Sequence, residues 1–194
     1  MTAGQFFFKY RSYTPIPLLI PLFLFGRPTI LSLIIGFIIL SIGELIRLWG
    51  VSYAGSETRT TAKVGASQLV TQGPFAYVRN PLYLGNILIY FGVSIMANSL
   101  FPFLQILALV YFYIQYHFII KEEEAFLRNK FKEKYEDYCI AVNKFIPSFT
   151  PYEESKQSKF KQDLKAGYKS EKRTLQAISS ILLMILLIFI LIHT

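Results

Sequence analysis

Five apolar stretches dominate this chain: Ile16–Phe25, Thr29–Trp49, Leu82–Ala97, Phe101–Ile120 and Leu175–Ile192. A helix crosses a bilayer with roughly 17–25 such residues, so the second, fourth and fifth qualify on length alone. The third is predicted to cross as one arm of a tight hairpin, because only Asn98, Ser99 and Leu100 separate it from the fourth. The first is short and holds Pro17 and Pro21, but it can lengthen toward Phe6–Phe8. Charged residues make up only 16% of the chain and hydrophobic residues 53%. Soluble domains carry about 25% charged residues, so this balance rules out a disordered chain and points away from a soluble globular enzyme. The expected fold is all-α: a polytopic membrane helical bundle with about five transmembrane helices. We divide it into a membrane domain over residues 1–150, a basic polar linker over 151–172 and a C-terminal transmembrane helix over 173–194.

The placement of basic residues sets the expected topology. With the N-terminus inside, Lys9, Arg11, Arg59, Lys63, Arg79 and every basic residue from Lys121 to Arg173 share the cytoplasmic side. Arg47 sits near the inner end of the second span, and only Arg27 falls outside. This is a positive-inside pattern, and it places the C-terminus on the opposite side. It also favours Ile16–Phe25 as a crossing, because a re-entrant segment would move Lys9 and Arg11 outward. The net charge of +8 is then accounted for by topology and by anionic phospholipid at the inner surface, not by nucleic acid. The N-terminal apolar run is broken by proline and lacks a small-residue cleavage site, so no cleaved leader is expected. Two polar regions, Tyr53–Asn80 and the segment from Lys121, share the inner face. A pocket for a water-soluble cofactor is expected where they meet.

Several chemistries are missing from the sequence. One cysteine and two histidines, the latter without metal spacing, give no metal site. The phosphate-cradling and dinucleotide glycine motifs and the serine nucleophile elbow do not occur. Gly36, Gly43 and Gly50 recur every seven residues, as do Gly85 and Gly92, a spacing that lets membrane helices approach closely. Glu44 and Arg47 stand at i, i+3 inside a span. They either pair or contact a substrate head group. His117, near the inner end of the fourth span, either bonds across helices or contacts substrate.

Two segments carry the densest polar signals. In Ser67–Asn86, Asn80 precedes Pro81 and is expected to cap the third span. A helix start of this kind favours an anion, and Phe75, Tyr77 and Tyr83 offer aromatic faces. In Ile119–Leu127, Glu122, Glu123 and Glu124 cannot all face water on one helix, so one is expected to turn toward the hairpin partner near Asn80. Beyond it, Leu127, Phe131, Tyr135 and Tyr138 recur at helical spacing, which predicts a surface helix ended by Pro147 and Pro151.

As an ordered set, these pieces resemble the isoprenylcysteine carboxyl methyltransferase family and the related phospholipid methyltransferases. The set is Arg79-Asn80-Pro81-Leu82-Tyr83-Leu84-Gly85, then Glu122-Glu123, then Phe131, Tyr135 and Tyr138, then Phe145-Ile146-Pro147. The resemblance covers about residues 55–149. It implies an integral membrane methyltransferase that uses S-adenosylmethionine on a membrane lipid or lipidated acceptor, through a carboxylate or an amine. It implies that Ser67, Gln68, Leu69 and Val70 line the cofactor pocket and Phe75 packs on it. Asn80, Pro81, Leu82 and Tyr83 would hold the amino-acid end or sugar, and Glu123 would contact the cofactor from the end of the fourth span. Glu122, Glu123, Arg79 and Tyr83 form the candidate catalytic set. Glu44, Arg47 and His117 are the candidate substrate contacts. Asn80 replaces the histidine of many members, and Ile119 replaces the substrate-contacting arginine of prenylcysteine members. The second departure counts against a prenylcysteine carboxylate. Two rival readings remain: an NADPH-dependent membrane reductase of the sterol type, which would use Arg59, Lys63 and Arg79 near the loop, and a non-enzymatic membrane protein.

Overall fold

A computed structural model describes residues 1–55, 68–153 and 162–194. The described residues are helical, with no strand among them. The helices are α1 (Ala3–Tyr10), α2 (Ile16–Leu24), α3 (Ile30–Ala54), α4 (Pro81–Ala97), α5 (Phe103–Phe131), α6 (Glu133–Ala141) and α7 (Leu164–His193), with one 3-10 turn at Gly73–Ala76 before α4.

Among the described residues, three helices, α3, α5 and α7, are long and apolar enough to cross a membrane. Helix α4 has 17 residues, or about 25 Å at ~1.5 Å per residue, a little short of the ~30 Å hydrocarbon core. Helix α2 has nine residues, about 13 Å on the same rise. It does not reach across alone, and the turn after Tyr10 separates it from α1. The expected count of five crossings therefore stands at three long apolar helices, with α4 as a fourth, shorter apolar helix. The apolar run of α7 begins well inside a helix that starts at Leu164, so part of the expected linker is helical.

The tightest seam joins α3 to α4, and glycine makes it. A Cβ on Gly36 would stand 2.4 Å from the Gly92 carbonyl oxygen, and one on Gly43 would stand 2.7 Å from that of Gly85. Any side chain there would push the helices apart, so the seven-residue glycine spacing is a packing device. Leu40, Ile89, Val93, Met96, Leu104, Ile178 and Ile185 fill the core that α3, α4, α5 and α7 share. Phe8 of α1 packs with Phe112, Tyr116, Ile119 and Ile120 of α5. Outward faces stay apolar, as Ile34, Phe37, Ile38, Leu187 and Leu191 show, which suits lipid rather than water.

The predicted surface helix is broken in two. Lys132 adopts φ +49°, and the chain turns there. Leu127 and Phe131 end α5 while Tyr135 and Tyr138 belong to α6, yet all four remain in one apolar cluster with Leu69 and Val142. Helix α6 folds back over the chain that leads into α4. Arg79 N–H donates to the Asn143 carbonyl at 2.9 Å, Ser148 N–H to that of Tyr77 at 2.8 Å, and Tyr152 N–H to that of Ala76 at 2.9 Å. These bonds fix the approach to α4.

Candidate functional site

Beneath that cover lies a cavity of about 860 Å³, within the ~300–1,000 Å³ typical of cofactor and ligand sites. One part is walled by Gln68, Leu69, Val70 and Phe75 from the polar loop, Asn80–Tyr83 from the start of α4, Glu123 and Leu127 from α5, and Tyr135 and Tyr138 from α6. A second part runs along Arg47, Asn86, Tyr90, Tyr116 and Glu171. Lys9, Arg11, Ser12, Tyr13 and Arg173 reach the same space from α1, its following turn and α7.

Pro81 occupies the first helical position of α4, where its missing N–H costs nothing. Asn80 stands at the N-cap position, as expected, but its side chain makes no capping hydrogen bond to the helix. Its side-chain amide donates instead to the Lys144 carbonyl at 3.2 Å, tying the segment after α6 to the helix start. One turn on, the Tyr83 hydroxyl donates to Glu123 Oε1 at 2.6 Å, and its ring stacks on Tyr116 with centroids 4.8 Å apart. Tyr138 donates its hydroxyl to the Phe75 carbonyl at 2.6 Å, which holds the 3-10 turn beside the cavity. Burial pushes the Tyr138 hydroxyl well above the usual tyrosine range, so it remains a donor.

Arg79 holds this wall together. Its guanidinium lies 3.2 Å from Glu124 and donates to the Cys139 carbonyl at 2.9 Å and that of Val142 at 2.6 Å. Lys144 adds a contact to the other Glu124 oxygen at 3.1 Å. Arg79 lines the cavity as expected, but its hydrogen-bonding atoms are committed to the protein.

Other predicted residues scatter. Glu123 faces the cavity. Glu122 lies outside it and accepts a hydrogen bond from Thr2. His117 is exposed and outside the cavity lining, beside Tyr113 and Phe118. Glu44 is also outside the lining, 3.8 Å from Arg47, so the expected pairing within α3 is present. Gln68 is exposed at the cavity edge. Ser67, Arg59 and Lys63 lie outside the described residues.

Arg47 reaches the cavity, but it arrives with partners. One guanidinium nitrogen donates to both Glu171 oxygens at 2.8 Å, and another donates to Asn86. Glu171 is 1% exposed and comes from α7. That helix is moored at its start, where Asp163 N–H donates to the Ser52 carbonyl at 2.9 Å and Gln162 donates to the Ser52 hydroxyl at 3.1 Å. Sequence reasoning missed Asn86, Tyr90, Tyr116 and Glu171. One signal was available: a glutamate within a turn of the apolar run that follows it.

The arrangement suits a mixed polar and apolar ligand. Leu69, Val70, Phe75 and Leu82 offer apolar surface. Glu123, Tyr83 and Asn86 offer hydrogen-bonding groups. The phospholipid methyltransferase family matches residues 31–134. Among similar proteins, the cobalt-zinc-cadmium resistance protein CzcN of Cupriavidus metallidurans is 32% identical over 122 residues, covering 63% of this chain and 52% of CzcN. The nickel-cobalt-cadmium resistance protein NccN of Alcaligenes xylosoxydans xylosoxydans is 30% identical over 115 residues, covering 59% of this chain and 49% of NccN. The chain thus spans about half the length of the curated relatives it matches. No solved structure matches it.

Proposed function

The chain belongs to the phospholipid methyltransferase family, and from that premise we propose that it transfers a methyl group from S-adenosylmethionine to a lipid or lipidated acceptor at the inner membrane surface. The observation that carries this reading is the convergence of Phe75, Asn80, Pro81, Leu82, Tyr83 and Glu123 on one cavity. Each is a residue at which the family resemblance implies a cofactor contact. The donor set fits the group: a carboxylate for an ammonium or ribose hydroxyl, an amide for polar edges, and apolar walls for a flat ring.

In the bound state the cofactor supplies a sulfonium methyl, which is already electrophilic. Leu69, Val70 and Phe75 exclude water from one side of the cavity. Tyr83 orients the Glu123 carboxylate through its 2.6 Å hydrogen bond. The lobe beside Asn86, Tyr90 and Tyr116 takes the acceptor head, and placement within attacking distance supplies most of the rate. A carboxylate acceptor needs no base. An amine must first lose its proton, and Glu123 is the cavity carboxylate outside the Arg47 and Arg79 ion pairs. Glu122 and His117 stand away from the cavity, and Glu124 is engaged by Arg79 and Lys144, so none of the three serves as base in this reading.

The reductase alternative asks for free basic groups near the loop. Of the three basic residues named for it, Arg79 has its hydrogen bonds satisfied within the protein, and Arg59 and Lys63 lie outside the described residues. The test is calorimetric titration of purified protein in detergent with S-adenosylhomocysteine, beside Glu123→Ala. Micromolar binding that disappears in the variant supports the proposal. A folded sample that ignores S-adenosylhomocysteine but binds NADPH rejects it.

A further inference from the structure

Arg11 reaches the cavity from outside the family-matched residues 31–134, whereas Tyr83 and Glu123 lie within them. Of the three carboxylates that line the cavity, Glu171 is paired with Arg47 at 2.8 Å and Glu124 with Arg79 at 3.2 Å. Arg11 acts on the third, since its charge interacts with Glu123 and with the Tyr83 hydroxyl bonded to it. Lys9 and Arg173 also line the cavity, but both are exposed, and water screens an exposed charge. Arg11 and Glu123 are each half-buried.

The turn that carries Arg11 is fastened to α5 on both sides. Before it, Phe8 is buried against Phe112, Tyr116, Ile119 and Ile120. After it, the Tyr111 hydroxyl donates to the Thr14 carbonyl at 3.3 Å. The turn also closes on itself, because the Thr14 hydroxyl donates to the Arg11 carbonyl at 3.2 Å. The Arg11 guanidinium lies over the Phe8 ring, 4.4 Å from its centroid. Ile119 and Ile120, on which that ring packs, stand one helical turn before Glu123 on the same face of α5. The cation therefore has a fixed mount beside the carboxylate.

We propose that Arg11 is a positioning residue of the cofactor site, the countercharge that keeps the Glu123 carboxylate charged and aimed into the cavity. The proposal rests on the methyltransferase reading, in which Glu123 contacts the cofactor. Leu82, Phe126 and Leu127 line the same cavity, and a carboxylate among apolar walls keeps its charge only at a cost. The Tyr83 hydroxyl, at 2.6 Å, offers Glu123 a hydrogen bond but no charge. A guanidinium stays protonated at any working pH, so Arg11 supplies a constant positive charge. It acts through Glu123 and not on the cofactor itself. The family-matched core thus contains the carboxylate, and the segment before that core contains the charge that balances it.

The test is a double-mutant cycle on the full chain in detergent, titrated calorimetrically with S-adenosylhomocysteine. Arg11→Gln should lose about tenfold in affinity, and Arg11→Lys, which keeps a cation there, should stay within about threefold of the parent. In a Glu123→Gln background, Arg11→Gln should change affinity by less than about twofold, because the group it serves is gone. Hydrogen exchange over Ala3–Tyr10 should be the same in Arg11→Gln as in the parent, since Phe8 still holds α1. Unchanged or tighter binding by Arg11→Gln overturns the proposal, as does a lysine variant as weak as the glutamine one. An equal loss with and without Glu123 makes Arg11 a direct ligand contact and overturns it too. Faster exchange over α1 in Arg11→Gln reduces the residue to a structural tie and has the same effect. A folded parent that does not bind S-adenosylhomocysteine sinks the underlying methyltransferase reading instead.

Discussion

Tyr83 and Glu123 join α4 to α5 at the cavity wall, hydroxyl to carboxylate at 2.6 Å. Tyr83 is held from behind by Tyr116, whose ring is 2% exposed and stacks on it. The carboxylate is therefore aimed rather than loosely placed. A hydrogen bond to a charged group contributes about 1.5–3 kcal/mol. Tyr83→Phe keeps the ring and removes only the donor, so S-adenosylhomocysteine affinity should fall roughly 10- to 100-fold, read by calorimetry, with helical content unchanged. Undiminished affinity would reduce the pair to a structural tie between the two helices.

The Arg47–Glu171 pair predicts a non-additive result. Removing one partner leaves the other charge buried, at a cost of about 3–5 kcal/mol, whereas replacing both with apolar residues is often neutral. Glu171→Ala should therefore lower the thermal unfolding midpoint in detergent far more than Arg47→Met/Glu171→Met does. Two equal drops would mean that the pair is solvated in the membrane-bound protein.

Tyr138 secures the 3-10 turn through the Phe75 carbonyl, and the loss of one such bond costs about 1 kcal/mol. Its hydroxyl is pushed upward by burial. A group whose folded value is raised gives its full stabilisation below the unfolded value, about 10 for tyrosine, and loses it only as pH climbs through the folded value. The stability gap between the parent and Tyr138→Phe should therefore be the same at pH 7.5 and pH 9.5. Thermal unfolding at both values checks this, and a gap that closes by pH 9.5 contradicts a buried, protonated latch.

Some features were legible in the sequence because one local rule decided them. Length and hydropathy were enough for α3, α5 and α7, and glycine spacing marked faces of α3 and α4 for close packing without saying that they pack on each other. Where two rules competed, the sequence misled. Asn80 is a good cap by type, yet its amide is taken by Lys144, a partner far along the chain. The helical spacing from Leu127 to Tyr138 is real, but Lys132 turns the chain between its halves. Tertiary contact keeps the apolar face continuous across the break. The Arg47–Glu171 pair was hidden for another reason. Glu44 offered Arg47 a partner one turn away, while the shorter, bidentate contact came from 124 residues on.

The three consecutive glutamates of α5 show the same limit and supply a direct comparison. They have the same side chain, but successive positions point around the helix. Glu122 turns to Thr2, whose hydroxyl also caps α1 through the Gln5 N–H. Glu123 turns to the cavity and Tyr83. Glu124, buried, turns to Arg79 and Lys144. Glutamine at each position should therefore fail in a different way. Glu122→Gln should loosen α1, which faster hydrogen exchange over Ala3–Tyr10 would report, and leave S-adenosylhomocysteine affinity intact. Glu123→Gln should weaken that affinity at least tenfold with little change in stability. Glu124→Gln leaves Arg79 less than fully balanced in a buried setting and should cost about 3–5 kcal/mol of stability, with ligand affinity falling only because the wall loosens. A common phenotype for all three would mean that the cluster acts as one solvated patch of charge, and the separate roles assigned to its members would fall together.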